Sequence, residues 1–304
     1  MTNKMAVNVA GVYFKNPLIT ASGTFGYGRE YEQCYSLDKL GGISIKGTTD
    51  MPRMGNLSPR IAETPMGMLN SVGLENPGID YFIEKILPWL SKKNTTIVAN
   101  IAGSTPEACG EVAEKLNSTN IHMIELNISC PNVKQGGAAF GTSAKTAYDV
   151  VSKVRQKTKK PLMVKLSPNV TSIVEIAKAA QSAGADALSL INTLLGMRID
   201  INTKRPILRN NVGGLSGPAI FPVAVRMVWQ VYKAVDIPIV GGGGISSAED
   251  AIEMMIAGAS AFQVGTAIFT DPYSPINILD GIDKWMTENN IKDINEIVGT
   301  VLEW

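Results

Sequence analysis

Histidine is almost absent: His122 is the only one in 304 residues. That scarcity argues against a Ser-His-Asp triad and against a multi-histidine metal site, so no metal centre is expected. Cysteine is nearly as rare, and Cys34, Cys109 and Cys130 are odd in number and widely spaced. Three scattered thiols cannot by themselves ligate an iron–sulfur cluster, and an unpaired set fits a reducing cytoplasm. Excess charge is missing too. A formal net charge of +1 leaves no electrostatic footprint for nucleic acid or an anionic membrane. No apolar run reaches the roughly 18 residues of a transmembrane helix. The amino-terminal MTNKMAVNVAGVYF lacks the apolar core of a secretory signal. No low-complexity stretch or linker divides the chain, so residues 1–304 read as one domain.

What is present is a repeated unit. Val7 to Val9 and Val12 to Phe14 flank Ala10-Gly11 and predict a small hairpin before the main fold. Eight short apolar runs follow: 18–21, 43–45, 97–99, 124–126, 162–164, 187–191, 237–240 and 261–264. Each gives way to a polar residue or glycine, in order Ser22, Lys46, Asn100, Asn127, Lys165, Asn192, Gly241 and Gly265. Helical spacing covers 79–90, 106–116, 144–158, 172–183, 219–235 and 248–257. Start signals stand at Ser104-Thr105-Pro106, Thr171-Ser172 and Ser246-Ser247. Alternation of this kind predicts a parallel (β/α)8 barrel, with about 250 residues for the barrel and the rest for decorations. An open doubly wound sheet gives no reason for eight similar strand endings.

In such a barrel the strand-end residues converge on one mouth, where catalytic groups sit. Three strand-to-helix stretches are long enough to cover it, 47–78, 128–141 and 193–217. Gly241 to Gly244 and Gly265-Thr266 follow the last two strands and suit a phosphate cradle, since glycine lets backbone N–H groups approach an anion. GGGGIS is not the dinucleotide-binding fingerprint, lacking its third glycine and its ribose-binding acid. Lys46 and Lys165 end strands at the mouth. Their roles are open between pairing with an anionic ligand, stabilising charge on a cofactor, forming a Schiff base, and a plain salt bridge to an acid such as Glu125. Asn70, Asn100, Asn127, Asn132 and Asn192 supply amides suited to a planar ring of alternating N–H and C=O groups, although each alone could cap a turn. Cys130 closes the polar end of ELNISCPN, ahead of a loop bearing Gly136, Gly137 and Gly141. A free cysteine is usually a small buried hydrophobe, but this one sits where a lid over the mouth begins.

These stretches carry a resemblance. ASGTFGYG, IKGTT, GNLSPR, MLNSVGLENPG, ELNISCPN, VKLSPN, INTLLG, GGLSGPAI and GGGGI occur in order and look like the class 1 dihydroorotate dehydrogenases from about Ala10 to Thr270. CPNVKQGGAAFGT and NTLLGMRID resemble the NAD-linked B type more than the fumarate-linked A type. The resemblance implies an FMN-containing barrel that oxidises dihydroorotate to orotate in pyrimidine biosynthesis. By motif, Cys130 would be the general base. Lys46, Asn70, Ser71, Val72, Gly73, Leu74, Asn127, Asn132, Asn192 and Thr193 would hold the substrate. Ser22, Lys46, Gly47, Asn100, Asn127, Lys165, Ile191, Gly217, Gly243, Gly244, Gly265 and Thr266 would hold FMN. It further implies a partner subunit carrying FAD and a [2Fe–2S] cluster, with NAD as final acceptor, and two copies of this chain paired within a heterotetramer.

Overall fold

The computed structural model describes residues 3–129 and 140–304. Strands β1 (Val7–Val9) and β2 (Val12–Phe14) form the antiparallel hairpin, with Val9 opposite Val12. β3 (Leu18–Thr20) and β4 (Gly42–Ser44) open the barrel. β5 (Ile61–Thr64) and β6 (Gly67–Asn70) lie in the following insertion. β7 (Thr96–Ile101), β8 (Met123–Asn127), β9 (Leu162–Lys165) and β10 (Ala187–Leu190) continue the barrel. β11 (Leu194–Gly196), β12 (Ile199–Asp200), β13 (Arg205–Pro206) and β14 (Gly213–Ser216) occupy another insertion. β15 (Ile239–Gly242) and β16 (Ala261–Val264) complete the ring. The barrel is closed, and every barrel strand lies parallel to its neighbours, β16 pairing back onto β3. The eight expected apolar runs are therefore the eight barrel strands. Buried on both faces, they read as continuous apolar runs, not as alternation.

The helices form where amphipathic spacing meets a cap. α1 (Ile79–Tyr81) and α2 (Leu87–Leu90) are joined into one helical stretch by a π-helical turn over Phe82–Ile86. α3 (Pro106–Lys115), α4 (Ala144–Lys157) and α5 (Ile173–Ser182) follow, capped by the side chains of Thr105, Ser143 and Ser172. Each cap satisfies one N–H that the helix itself cannot pair. α6 (Phe221–Tyr232) buries Ala224, Met227, Val228 and Val231 at helical spacing. α7 (Ala248–Ile256) starts with a reciprocal capping box between Ser247 and Asp250. After it, Gly258 takes φ +123°, and a Cβ there would meet the Tyr232 ring at 2.2 Å, so both the turn and the packing require glycine.

Three features differ from the expected pattern. Between β3 and β4 the chain makes two 3₁₀ turns, Tyr31–Gln33 and Leu37–Lys39, where regular alternation called for a helix. Beyond β16 lie α8 (Ala267–Thr270) and α9 (Ser274–Glu288), which no expected element covered. Finally, two long insertions are ordered together as an antiparallel sheet in the order β11-β14-β6-β5. Its central pairing joins Leu69 to Leu215 across a separation far too long for a local hairpin signal.

Candidate active site

A cavity of about 1390 Å³ opens at the carboxyl ends of the barrel strands. Ser22, Lys46, Gly47, Asn100, Asn127, Lys165, Ile191, Asn192 and Thr193 border it from successive strand ends. Another wall comes from Asn70 at the end of β6 and from Val72, Gly73 and Leu74 in the segment that follows it. Gly243, Gly244, Gly265 and Thr266 form the far edge. Three residues expected at the mouth fall outside this lining. Gly241 turns toward α7, where a Cβ would lie 2.5 Å from Met254 Cγ. Ser71 is fully buried behind the wall. Gly217, at φ +105°, packs against Gly67, its absent Cβ 2.6 Å from that Cα. Cys130 and Asn132 lie outside the described residues.

The asparagine amides are oriented by their neighbours. Asn127 Oδ1 accepts the Ser129 N–H at 3.1 Å, the Ser129 hydroxyl at 2.8 Å and Asn192 Nδ2 at 3.3 Å. Asn192 Oδ1 accepts the Thr193 N–H at 2.8 Å. Asn100 Nδ2 donates to the Glu125 carboxylate at 2.6 Å, and a carboxylate can only accept. Asn100 Oδ1 must therefore face the other way. It is buried and accepts no hydrogen bond among the described residues. A buried acceptor left in that state costs about 1–3 kcal/mol unless a ligand or water donates to it.

Glu125 is the polar centre beneath the floor. Its Oε2 accepts Ser44 Oγ at 2.6 Å and Asn100 Nδ2 at 2.6 Å. Its Oε1 accepts Ser189 Oγ at 2.8 Å and Gln263 Nε2 at 2.7 Å. Burial pushes this carboxyl toward its neutral form, but Lys165 and the donors from Ser44, Asn100 and Ser189 outweigh that and hold it below the ordinary glutamate range. Lys165 Nζ donates to Gln263 Oε1 at 2.9 Å, not to Glu125 directly.

At the glycine edge, Gly244 has φ +85°, and a Cβ there would lie 2.8 Å from Gly217 O and 2.9 Å from Phe221 N. Only glycine fits that backbone. The start of α7 is less open than its position suggests. Asp250 already takes the Ser246 N–H at 2.8 Å and the Ser247 N–H at 3.0 Å. An anion at this edge would be met by the glycine backbone and by Thr266, whose hydroxyl bonds Ser216 Oγ at 2.8 Å.

The family model described as dihydroorotate dehydrogenase matches residues 4–286. The chain belongs to the dihydroorotate dehydrogenase family. It is 56% identical over 299 residues to "Dihydroorotate dehydrogenase B (NAD(+)), catalytic subunit" of Geotalea uraniireducens, covering 98% of each chain. It is also 56% identical over 297 residues to the protein of the same name from Alkaliphilus metalliredigens, again over 98% of each. A Geobacillus protein of that name is 55% identical over 98% of this chain and 95% of its own.

Other scarce residues of this dihydroorotate dehydrogenase family member do not line the cavity. His122 precedes β8 and accepts the Ile97 N–H on Nδ1 at 3.0 Å, and burial lowers its pKa. Cys109 is buried in α3, and its thiol is pushed up to about 12 by that burial, which leaves it unreactive. Sequence reasoning missed Gln263, Ser44 and Ser189. The signal was there: each is a polar side chain inside an otherwise apolar barrel strand.

Proposed function

We propose that this chain is the dihydroorotate-oxidising, FMN-bearing subunit of an NAD-linked dihydroorotate dehydrogenase of pyrimidine biosynthesis. The observation that carries the reading is the cavity itself. Two lysines and three asparagines border its inner end, and a glycine edge that excludes side chains borders the other. These residues fit FMN. The Asn100 Oδ1 atom wants a donor, Lys165 offers a charge to a ring that gains electrons, and the backbone around Gly244 leaves room for a phosphate. Ser22, Gly47, Asn127, Ile191, Gly243, Gly265 and Thr266 complete the proposed FMN set.

When bound, FMN supplies an acceptor for the hydride at C6 of the substrate. The chain does the rest. Lys46 pairs with the negative charge of the substrate. Asn127 has its amide oxygen engaged, so it presents N–H donors to a ring carbonyl, while Asn192, whose Nδ2 donates to Asn127 Oδ1 and to Ser129 Oγ, holds that amide in place. Asn70, Val72, Gly73, Leu74 and Thr193 shape the wall that holds the ring. By motif, Asn132 joins this set, and Cys130 removes the proton at C5. A thiol, with an ordinary pKa of about 8.5, suits proton abstraction near neutral pH. Ser71, buried outside the cavity lining, ties this wall to its neighbours, its N–H donating to Arg60 O at 2.8 Å and its carbonyl accepting Asn56 Nδ2 at 2.8 Å.

Electrons leave through a second subunit carrying FAD and a [2Fe–2S] cluster, on to NAD. This chain has no G-x-G-x-x-G sequence. Two copies of it pair within a heterotetramer, and the assembly works in the cytoplasm. No helix among the described residues is long and apolar enough to cross a membrane.

The test is an absorbance spectrum of the purified chain before and after anaerobic dihydroorotate. A flavin spectrum bleached by the substrate is expected. A colourless protein, or a spectrum that does not respond, overturns the reading. A companion experiment separates the lysines. Lys46→Ala is expected to weaken orotate binding about tenfold or more, the loss of a hydrogen bond to a charged group. Lys165→Ala is expected to disturb mainly the flavin. Orotate titrations followed in the flavin spectrum measure both, and equal orotate affinity in parent and Lys46→Ala contradicts the assignment.

A further inference from the structure

Glu125 is fully buried, ionisable, and has no part in the chemistry above. Its surroundings are specific. An ionised carboxylate has about four lone-pair sites, and here four donors fill them, from Ser44 on β4, Asn100 on β7, Ser189 on β10 and Gln263 on β16. Ser44 and Ser189 lie outside the cavity lining, while Asn100, Gln263 and Lys165 line it.

The Gln263 amide stands between two ions. The carboxylate accepts only and the ammonium donates only, so the amide can stand one way round, Nε2 toward Glu125 and Oε1 toward Lys165. The same logic turns Asn100 Oδ1 to face away from Glu125. One buried charge thus sets the orientation of two amides and supplies the counter-charge for a lysine that is itself 7% exposed.

We propose that Glu125 is a positioning residue of this active site: acting through Gln263 and Asn100, it holds Lys165 as an oriented cation and Asn100 as an oriented acceptor toward the bound cofactor. The identity of that cofactor rests on the FMN reading above, while the Glu125–Lys165 coupling does not. Lys165 is the charged group that weighs on Glu125. The remaining groups that face the carboxylate are neutral, the hydroxyls of Ser44 and Ser189 and the amides of Asn100 and Gln263.

The coupling gives a distinctive sign. Removing one of two opposite buried charges, here bridged by the Gln263 amide, strands the other. Glu125→Gln, nearly isosteric, is therefore expected to lower the thermal midpoint of the ligand-free parent. In a Lys165→Met background the same substitution removes a stranded carboxylate and is expected to raise it. A purely structural Glu125 would lower the midpoint equally in both, and that result overturns the proposal. Should Glu125→Gln alone not fold, the double variant is made directly. Recovery of soluble protein is the same inversion, and failure of the double variant as well overturns the proposal. FMN titration reads the second half. Glu125→Gln is expected to weaken FMN binding tenfold or more in the parent and by a smaller factor in Lys165→Met, where only the orientation of Asn100 is left to lose. Equal weakening in both backgrounds counts against positioning. Failure of the parent itself to bind FMN would strike the FMN reading and leave the ligand-free stability cycle standing.

Discussion

Replacing Cys130 by alanine is expected to leave FMN bound while slowing its reduction by dihydroorotate about 10²–10⁴-fold, the usual cost of deleting a general base. The residue follows Asn127 and Ser129 in chain order, three positions past the β8 strand end that borders the cavity. The other two cysteines offer no substitute, Cys109 being buried in α3 and Cys34 standing outside the cavity lining. The sole histidine is committed to a backbone N–H. Stopped-flow absorbance under anaerobic conditions gives the rate, and reduction within a few-fold of the parent would remove Cys130 from the role. Cys130→Ser should keep weak activity that rises with pH, because a hydroxyl gives up its proton less readily than a thiol. A flat profile would count against that.

A second large effect concerns the electron acceptor. The purified chain, given dihydroorotate and NAD, is expected to reduce its bound flavin once and then stop, with NADH accumulating only after the partner subunit is added. The chain carries no dinucleotide fingerprint, and its three cysteines are one short of a cluster. Absorbance at the NADH band follows the outcome. Steady NADH formation by this chain alone would locate an acceptor site within it.

The barrel could be read from the chain because burial on both faces makes each strand a short apolar run with a polar terminus, as at 261–264 before Gly265. Start signals such as Ser247 likewise gave the helix its boundary. The antiparallel sheet over the mouth could not be read the same way. Gly213–Ser216 and Gly67–Asn70 show no period-two alternation of burial, and they pair across nearly half the chain. α9 was legible, with Ile278, Leu279, Ile282 and Met286 at helical spacing, but it lies beyond the last strand of the repeated unit. Within the site, residues at strand ends were legible by position alone. Gly241 misled because a glycine run leaves unclear which member faces the mouth, and side-chain-free residues carry no pattern of polarity. Gln263 was overlooked for the opposite reason, standing inside a strand rather than at its end.

The carboxylate of Glu125 also bears on how the chain folds. Its donors come from β4, β7, β10 and β16, spread around the whole ring. A partial barrel ending at β10 would lack the Gln263 donor, and the low-dielectric enclosure in which those hydrogen bonds are strongest forms only with the closed ring. The full set of four donors is assembled only when the last strand joins the ring. The polar knot at the axis thus acts as a latch on ring closure, rewarding the complete barrel over any truncated one.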